Sequence, residues 1–115
     1  MKHLGGVVGV DQGDVILFSD FEDDGEMWAG RGARERRRRI KFSEAFRSAP
    51  AVQVSLSMWD IDSKKPARVD LKAETVTLDG FDLVFRTWAD TKVARVRVSW
   101  LAVGELPNAD DWNLN

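Results

Sequence analysis

From Phe81 to Trp100 the chain alternates between apolar and polar residues in two successive runs. In Phe81–Trp88, Phe81, Leu83 and Phe85 point one way and Asp82, Val84 and Arg86 the other. In Val93–Trp100, Ala94, Val96, Val98 and Trp100 share one face, and Arg95, Arg97 and Ser99 share the opposite one. A period of two is the signature of a β-strand with one buried face; a helix would scatter each set around its circumference. The connection Thr87–Lys92 carries a large aromatic residue, Trp88, at its mouth.

Four earlier segments fit the same scheme. Val15–Phe21 is apolar enough to be a buried strand, and Arg37–Phe42 follows it. Ala51–Met58 directs Val52, Val54, Leu56 and Met58 inward, and Arg68–Glu74 does the same with Val69, Leu71 and Ala73. Asp79-Gly80 is the strongest hairpin signal. No segment has convincing helical periodicity. The expectation is an all-β chain, a six-stranded antiparallel β-sandwich with two sheets packed face to face. It occupies residues 15–104. Residues 1–14 read as a glycine-rich, loosely held N-terminal arm, and 105–115 as an acidic C-terminal tail docked by Trp112. Neither a transmembrane run nor the apolar core of a signal peptide is expected, and the compartment stays open.

Residue counts narrow the chemistry. There is no cysteine and one histidine, His3, which argues against disulfides, thiolate chemistry, a multi-histidine metal site and a Ser–His–Asp triad. A formal net charge of −2 gives no global field toward nucleic acid or membrane. The run Arg36–Arg39 suggests phosphate binding at first sight. On a strand, however, its members diverge to alternate faces, acidic residues lie just upstream, and no aromatics interleave. A solvated face, or a subunit contact laced with salt bridges, is expected instead. Asp60, Asp62 and Glu26 could be read as paired carboxylates, but a small sandwich offers no deep cleft, and no enzyme is expected. The oxygen-rich stretches EDDGE and WDID offer calcium ligands without EF-hand spacing; no metal or cofactor is expected.

Two residues stand out for ligand chemistry. Arg68 opens one strand and Trp88 closes another, so both lie at loop ends that can meet on one rim. An aromatic face suits the C–H patch of a sugar, and a planar guanidinium suits neighbouring hydroxyls. The alternative is a core-capping tryptophan beside a solvated edge arginine. The connection Glu22–Arg36, with Trp28 and the glycines of AGRGARE, is longer than a typical sandwich loop and is a further functional candidate.

The segment GFDLVFRTWADTKVARVRVSWLAVG, preceded by IKFSEAFRSAPAVQVSLSMWDID and PARVDLKAETVTLDGF, resembles the H-type lectin domain. The resemblance runs from about Phe21 to Gly104. It implies a β-sandwich that assembles as a homotrimer or homohexamer, here without disulfides. It also implies a galactose- or N-acetylgalactosamine-class glycan bound at one end, in glycan or cell-surface adhesion. The family's arginine falls on Arg68 and its tryptophan on Trp88. The histidine that follows in the snail member is Ala89 here, and an expected loop aspartate falls on Arg31. The implied site is therefore Arg68, Trp88, Ala89, Asp90, Gly30 and Arg31. The added positive charge of Arg31 points to anionic sugars. The alternative implied function is a structural or appendage subunit that kept the fold without the sugar site.

Overall fold

The computed structural model describes residues 1–107. The strands are β1 (Val8–Ser19), β2 (Arg34–Lys41), β3 (Ala51–Ile61), β4 (Val69–Glu74), β5 (Gly80–Thr87) and β6 (Val93–Glu105), with a single helical turn, α1 (Glu26–Ala29), between the first two. They form two antiparallel three-stranded sheets, ordered β1-β6-β3 and β2-β5-β4. The expected six-stranded sandwich is the observed one. The two strands with the clearest alternation, β5 and β6, are the two central strands. Phe81, Leu83 and Phe85 of one sheet and Val96 and Val98 of the other are fully buried between the layers. Phe18 packs edge-on to Phe85 at 5.3 Å, and Trp100 to Phe81 at 5.6 Å.

Several strand limits differ from the sequence reading, each for a local reason. The largest difference is at the N-terminus, where β1 begins at Val8 and not at Val15, so much of the supposed arm is sheet. Its alternation is disguised because glycines take the inward places. A Cβ on Gly9 would lie 2.6 Å from the Leu106 side chain, and one on Gly13 would lie 2.8 Å from the Trp100 indole. Core volume at those positions is supplied by β6 and the residue after it. Residues 2–5 fold back onto the far end, where Lys2 bonds the Ala49 carbonyl and the Gly5 amide bonds Glu105.

In β3 a bulge between Leu56 and Met58 resets the alternation. Met58 therefore stands opposite Arg97, outside the core, where continued alternation would have placed it inside. A bulge adds one residue to one strand only, so every residue beyond it changes partner. The β4–β5 hairpin exists, but its connection is Thr75–Asp79, wider than a two-residue turn. The one-turn helix α1 was too short to show periodicity. Glu105 belongs to β6 and not to a tail; the expected docking of Trp112 lies outside the described residues. No helix among the described residues is long and apolar enough to cross a membrane.

The arginine run divides as a strand must. Arg37 and Arg39 face outward over the β2-β5-β4 sheet, where Arg37 pairs with Glu74 at 3.3 Å and Asp82 at 3.1 Å. Arg86 joins them through Glu35 and Glu74, both at 2.9 Å. The hydrogen bond from Arg86 holds the Glu74 carboxyl below its usual range. On the other sheet Arg95 pairs with Asp60 at 3.3 Å, and Arg97 bonds Ser57. These arginines find partners within their own chain.

Candidate functional site

Three connections meet at one end of the sandwich: 20–33 between β1 and β2, 62–68 between β3 and β4, and 88–92 between β5 and β6. Each is fixed by a buried polar residue. The first hangs on Asp20, which is 7% exposed. Its Oδ2 accepts the Met27 amide at 3.0 Å and Arg36 Nη2 at 2.6 Å. Its carbonyl accepts the Gly25 amide at 2.9 Å. Met27, fully buried, then anchors α1 in the core.

Arg34 ties more of the rim together than any other side chain described here. It is 6% exposed and donates to four carbonyl oxygens: Gly32 at 2.9 Å, Met27 at 3.1 Å, Ala89 at 3.2 Å and Glu26 at 3.3 Å. Burial pulls its pKa down, opposed by the charge of Glu26. A guanidinium presents five donors in a rigid fork, so it can tie several loop carbonyls at once. The Gly32 amide completes the junction by donating to the Ala89 carbonyl at 2.9 Å. The glycine loop is thereby locked against the β5–β6 connection. Sequence reading left Arg34 inside the long connection Glu22–Arg36. The signal it missed is parity: Arg34 and Arg36 share the inward register of Ile40 on β2, whereas Arg38, of the same parity, is exposed.

Two buried threonines hold the third connection in place. Thr87 Oγ1 donates to the Arg68 carbonyl at 2.5 Å, and Thr91 Oγ1 donates to the Pro66 carbonyl at 2.7 Å. Arg68 is thus positioned through its backbone by the strand next door. Its Nη1 donates to Asp90 at 2.7 Å, with both side chains about a third exposed. This bond holds the Asp90 carboxyl below its usual range. Ala89, between Trp88 and Asp90, has φ +58°, a left-handed conformation that costs a residue with a Cβ about 1 kcal/mol or more. That turn leaves Trp88 45% exposed and outside β5, not capping the core.

The structure therefore gathers Arg68, Trp88, Ala89 and Asp90 on one rim, with the loop of Gly30 and Arg31 joined to it through Gly32. Arg31 is exposed and makes no ion pair or hydrogen bond among the described residues. The arrangement offers paired donors, a carboxylate acceptor and an aromatic surface, and none of the geometry of a nucleophile–base pair. Among the described residues no three His, Cys, Asp or Glu side chains converge to hold a metal ion.

Comparison with known proteins agrees with this architecture. The chain is 53% identical over 114 residues to a protein of Fuscovulum blasticum called ATP synthase subunits region ORF 7, covering 99% of each. It is 32% identical over 81 residues to discoidin-2 of Dictyostelium discoideum, covering 70% of this chain and 32% of that one. The solved structure of recombinant discoidin II of the same organism superposes with a TM-score of 0.71 at 29% identity, covering 88% of this chain and 38% of that one. The chain thus spans nearly all of its Fuscovulum relative and about a third of the discoidin. Residues 37–103, more than half of the chain, match the model of the H-type lectin domain. With the sandwich, the strand order and these matches together, the chain belongs to the H-type lectin domain family.

Proposed function

We propose that this protein is a carbohydrate-binding module that holds a glycan on the rim formed by Arg68, Trp88 and Asp90. The observation that carries the reading is the 2.7 Å Arg68–Asp90 pair standing beside a half-exposed tryptophan. A sugar hydroxyl both donates and accepts hydrogen bonds. A fixed Arg–Asp pair supplies both partners, with the guanidinium edge that does not face Asp90 left to donate. Trp88 supplies apolar surface for the C–H face of the ring. Because Asp90 offsets the charge of Arg68, the pair suits a neutral galactose-class sugar. Arg31 adds a cation that favours sulfated or uronic-acid substituents nearby. Binding, not catalysis, is what such a rim is fitted for.

A single shallow rim binds weakly, and an oligomer multiplies it through avidity. Val10, Ile16 and Leu101 lie exposed among polar residues on the outer face of the β1-β6-β3 sheet, and this mixed face supports assembly of copies as a homotrimer or homohexamer. The same face is what a structural subunit would use, which is the second reading.

A glycan array probed with the purified protein, together with Arg68→Ala and Trp88→Ala, tests the proposal. Binding to galactose-class or acidic glycans, lost in both variants while sedimentation is unchanged, is the expected result. Full binding by both variants places the site elsewhere. No binding by the native protein leaves the structural-subunit reading.

A further inference from the structure

At the Lys92 end of the Trp88–Lys92 connection lies an open groove of about 440 Å3. Its walls include Phe21, Trp28, Asp60, Asp62, Ser63 and Lys64. Phe21 and Trp28 meet edge to face at 5.1 Å, forming an aromatic corner. Backbone bonds set the corner in place: the Phe21 amide donates to the Ala94 carbonyl at 3.1 Å, and the Trp28 amide to the Gly25 carbonyl at 3.0 Å. Phe21 nonetheless leaves 57% of its surface in solvent. An exposed aromatic held rigidly against a second one has no role in the core and costs little entropy to use on a ligand.

The polar wall has a matching character. Asp62 is fixed by its own amide, which donates to the Lys92 carbonyl at 3.0 Å, and by its Oδ1, which accepts the Lys64 amide at 2.9 Å. Its Oδ2 has no bond among the described residues. Lys92 Nζ sits 4.5 Å from the centre of the Trp28 ring, and Arg95 pairs with Asp60. Three cations, Lys64, Lys92 and Arg95, thus stand around the groove with two carboxylates, Asp60 and Asp62, and charges of both signs so interspersed give it little preference for a strongly charged ligand. An aromatic wall, a hydroxyl, a free carboxylate oxygen and a volume within the usual range of small-ligand sites suit an uncharged polyhydroxyl group.

We infer that this groove is a second saccharide subsite, which takes a neutral ring of an extended glycan whose end occupies the Arg68–Trp88 rim. The inference rests on the carbohydrate-binding reading of that rim. Continuity is what joins the two patches. Trp88 at one end of the connection borders the first, and Lys92 at the other end borders the second through both Trp28 and Asp62. Four residue steps of chain span at most about 14 Å, within reach of an oligosaccharide. The two arms of the ligand would thus straddle one short, threonine-stapled loop.

Tryptophan indole N–H resonances distinguish the sites. Uniformly 15N-labelled protein is titrated with galactose, lactose and the neutral tetrasaccharide lacto-N-neotetraose, with signals assigned through Trp28→Phe and Trp88→Phe. Galactose is expected to move the Trp88 signal alone. The tetrasaccharide is expected to move both signals and to bind about tenfold tighter, a difference of about 1.4 kcal/mol. Phe21→Ala should remove that gain and leave galactose affinity unchanged. Ser63→Trp, which adds bulk to the lining of the groove, should do the same. Saccharides that move Trp88 with equal affinity at every length, and never move Trp28, overturn the subsite while the rim remains a sugar site. Silence of both indoles with all three sugars overturns the galactose-class reading of the rim and the subsite with it.

Discussion

Replacing Arg34 with methionine tests whether the rim is built by one buried cation. Methionine keeps apolar volume and removes all donors. Four carbonyl oxygens lose the guanidinium, those of Glu26, Met27, Gly32 and Ala89, although Glu26 keeps the Gly30 amide and Ala89 the Gly32 amide. The bond to Met27 is fully buried and the other three are partly buried. A buried acceptor left bare costs about 1–3 kcal/mol, whereas acceptors near the surface recover water. Removing the guanidinium also removes its own desolvation cost, the same cost that depresses its pKa. The balance is a loss of about 2–3 kcal/mol, a sizeable part of the roughly 5–15 kcal/mol that such a domain has. Urea unfolding should show the midpoint falling with the slope unchanged. Hydrogen exchange should localise the damage to the Gly32 amide, whose partner is the Ala89 carbonyl. Arg34→Lys should recover less than half, because an ammonium cannot span four acceptors. A loss under about 0.5 kcal/mol with Gly32 still protected would refute the claim that Arg34 locks the two loops together.

Phe85→Ala should cost about 3–5 kcal/mol, because Phe85 is fully buried, and Trp100→Ala noticeably less, because Trp100 only lines the core; chemical denaturation of both variants checks the order. Ala89→Gly should stabilise the chain by about 0.5–1 kcal/mol by relieving the left-handed strain, and a variant less stable than native would show that the methyl group makes a contact of value. Asp90 has a depressed pKa, so its pairing with Arg68 contributes fully above the ordinary aspartate value of about 3.9 and is lost as pH falls below it. Exchange protection of the 88–92 connection should therefore be flat from neutral pH to about 4, fall in stronger acid, and become flat throughout in Asp90→Asn. Raising salt from about 0.1 to 1 M should leave the sedimentation mass unchanged, since the outward arginines pair within one chain; dissociation in salt would mean that they also bridge protomers.

Much of this fold was written locally. The alternation in β5 and β6 gave both central strands, since a two-residue period fits only a pleated ribbon with one buried face. The pair Arg68 and Trp88 was legible as ends of strands, and the family resemblance put them in one site. The resemblance placed Asp90 in that site too, but its direct bond to Arg68 was not legible, because the pairing belongs to two connections that threonines join only in the folded chain. Nor did the sequence show that Arg31 would stand exposed while Arg34, three residues on, would be buried.

What the sequence determined by itself is therefore the set of strands, their faces away from irregularities, and the chemistry available at the loop ends. The tertiary structure decided the rest. It turned the glycine-studded start of β1 into sheet, because Trp100 and Leu106 fill the space those glycines leave. It moved Met58 out of the core through one extra residue in β3. It gave Arg34, Arg36, Arg37 and Arg39 of β2 their partners, inward to Asp20 and the loop carbonyls or outward to Glu35, Glu74 and Asp82. The physical reason is common to all three. Periodicity reports the backbone direction of one segment, whereas volume, register and charge pairing are properties of two segments in contact, and they exist only once the sheets have closed.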